Sequence, residues 1–336
     1  MAILPLGKLP PELLASMLAQ APVSDPRVLV KPGIGLDCAV IDAGDRYLVL
    51  KSDPITFATD DIGWYLVQVN SNDIATTGGV PKWLMVTMLL PEGKTTAATL
   101  DKINQQLFEA CREKDISLIG GHTEITYGID RPILSATLIG EVAKDKLITA
   151  AGAAPGDKIL LTKGVPIEAT AILSKEFPDR LKDALTPAEL ESAQKFLFNP
   201  GISVTHDARI ATAAGRVTAM HDPTEGGLSG AIWELAEACS HHLVIDPAAI
   251  PIPEIAGKIC TAFGLNPLET IASGALLLTA KGDDAAVIID ALAQNDILCV
   301  EIGDVQAGEM GVWTVAGDRL NRPERDEIAR FYESLD

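Results

Sequence analysis

Between Ile62 and Gly79 the chain carries an apolar helical stripe with a carboxylate set into it, and no other stretch restricts the fold as much. Ile62, Leu66 and Val69 recur on one helical face. Asp73 follows Ile62 by about three turns and so returns to the middle of that face. An ionised, unpaired carboxylate in apolar surroundings costs on the order of several kcal/mol, so Asp73 is expected to have a cation, a donor or a proton. Asn70, one turn earlier, can share whatever Asp73 holds. Asp60 or Asp61 is expected to cap the helix, and Gly78 and Gly79 to stop it. The alternative is an aspartate facing water over a frayed end.

The 336 residues suffice for two domains, and a hydrophobic content of 47% supports a buried core. A net charge of −19 argues against nucleic acid or an anionic membrane as partner, since both repel an acidic surface. An anionic substrate is compatible only if cations intervene, which suits magnesium. The five cysteines (Cys38, Cys111, Cys239, Cys260, Cys299) show no C-x-x-C spacing, so they are expected to be core residues of a cytoplasmic protein. The opening Met1–Lys8 run lacks the pattern of a signal peptide, and no apolar run approaches the ~20 residues of a membrane span.

Strands are expected at Cys38–Ile41 and Tyr47–Lys51, joined by a hairpin at Ala43–Asp45, then at Lys82–Leu90, Ile116–Ile119 and Pro132–Val142. Leu100, Ile103, Leu107 and Cys111 predict an amphipathic helix within 95–114. This order describes a sheet with helices on one face. Ala151–Asp157, small residues with a proline, marks the boundary between a domain at 1–150 and one at 151–336. In the second half, strands near 159–162, 216–220, 242–246, 275–279 and 298–302 alternate with helices, and a short polar helix closes the chain between Asn321 and Asp336.

Asp37 follows a glycine loop, Asp53 sits at a strand end and Asp73 lies on the helix face. A few oxygen ligands without clustered His or Cys suit magnesium, which keeps several waters and leans on substrate phosphates. Each aspartate taken alone reads more readily as a turn or cap residue than as a ligand. Gly120-Gly121-His122-Thr123, after what reads as a buried strand, can admit a phosphate or base close to the backbone, or be a tight turn. His122 is a candidate general acid or base. Asp222-Pro223-Thr224-Glu225-Gly226-Gly227 precedes a helix whose free amides favour anions, with Asp222 or Thr224 as a capping alternative.

In this order the motifs Gly33-Ile34-Gly35-Leu36-Asp37-Cys38-Ala39, Ser52-Asp53, Asn70 with Asn72-Asp73-Ile74-Ala75, Gly120-Gly121-His122-Thr123 and Asp222–Leu228 resemble the aminoimidazole ribonucleotide (AIR) synthase-like superfamily. Its members include AIR synthase, the hydrogenase-maturation factor HypE, thiamine-monophosphate kinase and selenophosphate synthetase. The resemblance implies an N-terminal α/β domain whose sheet pairs with that of a second subunit, an α+β C-terminal domain, and ATP in the cleft between them. It implies an ATP- and Mg2+-dependent phosphoryl-transfer enzyme that activates a small carbonyl- or phosphate-bearing substrate. Asp37, Asp53 and Asp73 would be its magnesium ligands, and Asn70, Gly120, Gly121, Gly226 and Gly227 would line the nucleotide site. His122 and Asp222 would be the catalytic candidates. Alternatives within the resemblance are a small-molecule kinase of the thiamine-monophosphate type and a non-catalytic nucleotide-binding maturation partner. The sequence departs from the superfamily's pattern at Leu36, where an aspartate is common, at Glu225, where HypE-like proteins carry arginine, and in having no cysteine after Cys299. The last points to HypE-related proteins without the cysteine tail.

Overall fold

The computed structural model describes residue 4 and residues 7–56 and 60–335. Most of the Met1–Lys8 run and Asp336, the end of the expected closing helix, lie outside the described residues. The chain forms two compact units, one of Val23–Lys31 with Asp37–Leu147, the other of Ile148 onward together with the described residues up to Pro22 and Pro32–Leu36.

In the first of these, six strands run β1 (Val28–Val30), β2 (Ala39–Asp42), β3 (Tyr47–Ile55), β4 (Val80–Pro91), β5 (Ser117–Thr126) and β6 (Ile133–Val142). Their order across the sheet is β1-β2-β3-β6-β4-β5, antiparallel except for the parallel pair β4 and β5. The hairpin at Ala43–Asp45 is present, Ala39 pairing with Leu50 and Asp42 with Tyr47. Alternate residues of β6 are buried, the period expected of a strand with one face against a core. Helix α2 (Ile62–Thr76) and helix α3 (Ala97–Glu113) supply that core, through Ile62, Leu66, Ile103 and Leu107. Asp61 precedes α2 in a left-handed conformation and makes no side-chain cap; its carboxylate takes Gln106 Nε2 of α3 at 3.2 Å instead.

Strand β5 corrects the expectation of a buried strand ending before the glycines. It is an exposed edge strand, and Gly120-Gly121-His122-Thr123 lies within it. A Cβ at Gly121 would lie 1.8 Å from the carbonyl oxygen of Val86 on β4, so close strand approach alone requires that glycine.

The other unit has its own six-stranded sheet of β7 (Asp157–Thr162), β8 (Val217–His221), β9 (His242–Ile245), β10 (Leu277–Lys281), β11 (Cys299–Gln306) and β12 (Gly311–Thr314), ordered β12-β9-β11-β7-β10-β8. Helix α7 (Gly227–Cys239) packs its apolar face into the core of this sheet, with Leu228, Ile232 and Leu235 against Ile159, Leu161 and Leu277. A second core gathers Leu173, Phe263 and Phe331 around helices α4 (Ile167–Glu176), α8 (Glu254–Phe263) and α10 (Glu327–Glu333). The closing helix is therefore an anchored element rather than a polar one: Ile328, Ala329 and Phe331 are buried. All five cysteines are buried thiols outside any disulfide, as expected of core residues. Among the described residues no helix is long and apolar enough to cross a membrane.

Candidate functional site

In the unit around β3 and α2, the strand alternation puts Lys51 and Asp53 on one face of β3. The helix turn puts Asn70 and Asp73 on the facing side of α2. Lys51 Nζ lies 3.0 Å from Asp73 Oδ1 and 3.6 Å from Asp53 Oδ2. Asp73 thus has the cation that its place in an apolar stripe demands. Thr76 Oγ1 donates toward Asp37 Oδ2 at 3.1 Å and toward the Asp73 carbonyl at 2.7 Å, and Cys38 Sγ donates to the same carbonyl. Asn70 Nδ2 donates to the Leu66 carbonyl at 2.9 Å and approaches that of Asp53 at 3.5 Å.

The electrostatics follow from burial and crowding. Burial pushes the Asp73 carboxyl up to about 7 despite the Lys51 ammonium, with Asp37 and Asp53 adding repulsion. Burial disfavours the Lys51 ammonium, but Asp73, Asp53 and Asp37 outweigh it and hold the lysine well above its ordinary value. Asp73 Oδ2 and Asn70 Oδ1 are buried with no hydrogen-bond partner. Unsatisfied oxygens beside crowded carboxylates fit a hard, oxygen-seeking cation such as magnesium.

The structure thus brings Asp37, Asp53, Asp73 and Asn70 together. It does not bring His122 to them within one chain. His122 sits across from Thr87, Thr87 from Ser135, and Ser135 from Pro54, three strand spacings or roughly 14 Å. His122 is exposed and meets Glu124 at 3.3 Å. Gly120 is on the same open edge, with nothing within 4 Å of a Cβ placed there.

In the other unit, β8 ends at His221 and delivers the buried Asp222 just before α7. His221 Nε2 is 2.9 Å from Glu234 Oε2 on α7, while Lys8 Nζ is 3.2 Å from Glu234 Oε1 and Arg322 approaches the same oxygen. Burial would raise the Glu234 carboxyl, but His221 and Lys8 bring it down to about 2. Gly35 rests on this residue: its φ is +68°, and a Cβ there would lie 2.9 Å from the Glu234 carbonyl oxygen. The start of α7 is capped neither by Asp222 nor by Thr224. Gly226 is the N-cap in a left-handed conformation, and its N–H donates to Asp326 Oδ2 at 2.7 Å. Ser229 N–H donates to the Leu268 carbonyl, whose oxygen would be 2.6 Å from a Cβ at Gly227. With the Gly227 N–H donating to the Thr224 carbonyl, three amides at the helix start are therefore met from within the chain.

Sequence reasoning missed Lys51, His221, Glu234 and Asp326. Lys51 alone had a usable signal, because in a strand it shares the face of Asp53 two residues on. The remaining three act through pairings with no local spacing.

The AIR synthase related protein N-terminal domain matches residues 35–142, and the C-terminal domain of the same family matches residues 154–315. A Methanocaldococcus jannaschii protein named for hydrogenase expression and formation is 30% identical over 281 residues, 80% of this chain and 79% of that one. Carbamoyl dehydratase HypE of Cupriavidus necator is 29% identical over 259 residues, 75% of this chain and 68% of its own. Three solved structures share the fold. HypE in complex with ATP has a TM-score of 0.64 at 21% identity, covering 93% of this chain and 91% of its own. A ThiL complexed with AMPPCP and TMP has 0.71 at 19%, covering 94% of each. HypE in a HypE–HypF complex has 0.69 at 20%, covering 84% and 93%. With both domains matched over most of its length, the chain belongs to the AIR synthase related proteins.

Proposed function

We propose that the chain is an ATP- and Mg2+-dependent phosphoryl-transfer enzyme of the HypE-like type, acting on a small carbonyl- or phosphate-bearing substrate. The carrying observation is the gathering of Asp37, Asp53 and Asp73 around buried oxygens that lack partners. The likeness to HypE solved with ATP and to ThiL solved with AMPPCP supports a nucleotide ligand. The three aspartates and Asn70 would hold the magnesium, which when bound neutralises and aligns phosphate oxygens. A substrate oxygen would attack the γ-phosphorus in line, with ADP leaving, a reaction in which positioning and charge neutralisation supply most of the catalysis. Buried α2 fixes Asp73 and keeps bulk water from it, which strengthens its hold on charge. Isothermal titration is expected to show ATP binding that requires magnesium and is lost in Asp73→Asn. Titrations without heat at either step would sink the reading.

Two related readings separate by product. Activation of a carbonyl oxygen releases phosphate at the end of turnover, whereas a kinase of the thiamine-monophosphate type accumulates a phosphorylated acceptor visible by mass spectrometry. A maturation partner that only binds nucleotide shows neither. The likeness to HypE solved with HypF supports a second maturation protein as partner. A homodimer is proposed through β5, an open edge that exposes Leu118, Ile119 and Ile125 beside Tyr127. Ile119→Lys is expected to give a monomer in sedimentation, and an unchanged species would count against that edge.

A further inference from the structure

Lys51 occupies ground that the proposed metal also claims, and the way Asp73 divides its two oxygens shows how both fit. Oδ1 lies on the ammonium at 3.0 Å, while Oδ2 is buried and has no hydrogen-bond partner. Asn70 Oδ1, one turn back on the same face of α2, is likewise buried and without a hydrogen-bond partner. A cation can therefore be taken by Asp73 Oδ2 without evicting the lysine from Oδ1. The charges agree with this division. Asp37, Asp53 and Asp73 all act on Lys51, so a cation entering beside the ammonium meets a cluster of acidic side chains that one lysine does not exhaust. The lysine side chain is only 21% exposed, so it is built into the cluster rather than draped over it.

We propose that Lys51 is a resident counter-ion that stays on Asp73 Oδ1 when a divalent cation binds, presenting Oδ2 to that cation and limiting the site to one ion. This rests on the metal reading given above. Removing the ammonium from a site at this range strengthens attraction for a cation steeply, because the repelling charge is partly buried and poorly screened.

The test uses Mn2+ as probe, counted by electron paramagnetic resonance on the full chain without nucleotide. Wild type is expected to bind one Mn2+. Lys51→Met, which keeps a similar length without the charge, is expected to bind Mn2+ more tightly by on the order of tenfold or more, or to take a second ion. The double variant Lys51→Met with Asp53→Asn restores the net charge and should fall back toward wild type. Unchanged or weaker Mn2+ binding in folded Lys51→Met overturns the proposal. Should that variant fail to fold by circular dichroism, the wild type decides. The ammonium resonance of 15N-labelled Lys51 is expected to persist when Mg2+ saturates the site, and its loss to solvent exchange would mean the lysine is expelled. A wild type that binds no Mn2+ removes the proposed function as well, whereas Mn2+ bound with indifference to Lys51 removes this inference alone.

Discussion

Asp73 on α2 and Glu234 on α7 are both almost completely buried, with 3% and 8% exposure, yet their carboxyls sit at opposite extremes. Burial carries Asp73 up to about 7, while His221 and Lys8 bring Glu234 down to about 2. The difference lies in what meets the second oxygen. Glu234 has His221 on one oxygen and Lys8 on the other, whereas Asp73 has Lys51 on one and no hydrogen-bond partner on the other. Burial alone therefore does not mark a ligand site. A carboxylate with both oxygens engaged holds structure together, and one with an oxygen in reserve is fitted to hold something else.

The comparison breaks first at Glu234. Glu234→Ala leaves the His221 imidazole and the Lys8 ammonium without their acceptor, and is expected to cost about 3 kcal/mol in urea unfolding. A loss below about 1 kcal/mol would make Glu234 no more structural than Asp73. Gly35→Ala tests the same cluster from the side of the loop, since the new methyl meets the Glu234 carbonyl in a left-handed backbone. A loss of about 2 kcal/mol is expected.

Asp326 adds a third buried carboxyl, intermediate in kind. Burial lifts it to about 7 although the Gly226 and Ile328 amides favour its charge, and Glu225 and Glu168 add repulsion. A carboxyl raised from its ordinary 3.8 stabilises the fold in its protonated form. That contribution is complete below about pH 4 and is lost as pH rises through 7. Unfolding free energy is thus expected to decline between about pH 4 and pH 7, and Asp326→Asn to shrink that decline by about 1 kcal/mol. Superimposable pH profiles for the two proteins would contradict this. The smallest effect belongs to Asp73→Asn, which removes a poorly satisfied oxygen. Stability without metal is expected to move by less than about 1 kcal/mol, while the gain in melting temperature on adding Mg2+ disappears. A large loss of stability without metal would make Asp73 structural and erase the contrast with Glu234.

Much of this was legible in the sequence. The helical and strand periods located α2, α3, β3, β4 and β6, and the misplaced polarity of Asp73 announced a partner before any partner was visible. The three aspartates and Asn70 came from motif order, and the fold brings them together. The surroundings were not legible, for a physical reason. An apolar run such as Ile116–Ile119 reads as buried until its place in the sheet is known, and β5 turns out to be an edge. The cap on Gly226 comes from Asp326, far along the chain, and the partner of His221 is on the helix that follows it. Interactions of this kind are fixed by how elements dock, which local patterning does not encode. Strand β12 and the buried anchors of α10 escaped for the same reason.

Lys8 and Asp326 come from nearly opposite ends of the chain, and both fasten onto α7, one at Glu234 and the other at Gly226. The stretch from Asp37 to Leu147 is threaded between those ends as a separate unit. On a ribosome, the polypeptide for that inserted unit would emerge whole while the other still waited for its last residues. The half that gathers Asp37, Asp53 and Asp73 would then be assembled early, and the half carrying His221 would close only once translation had passed Asp326.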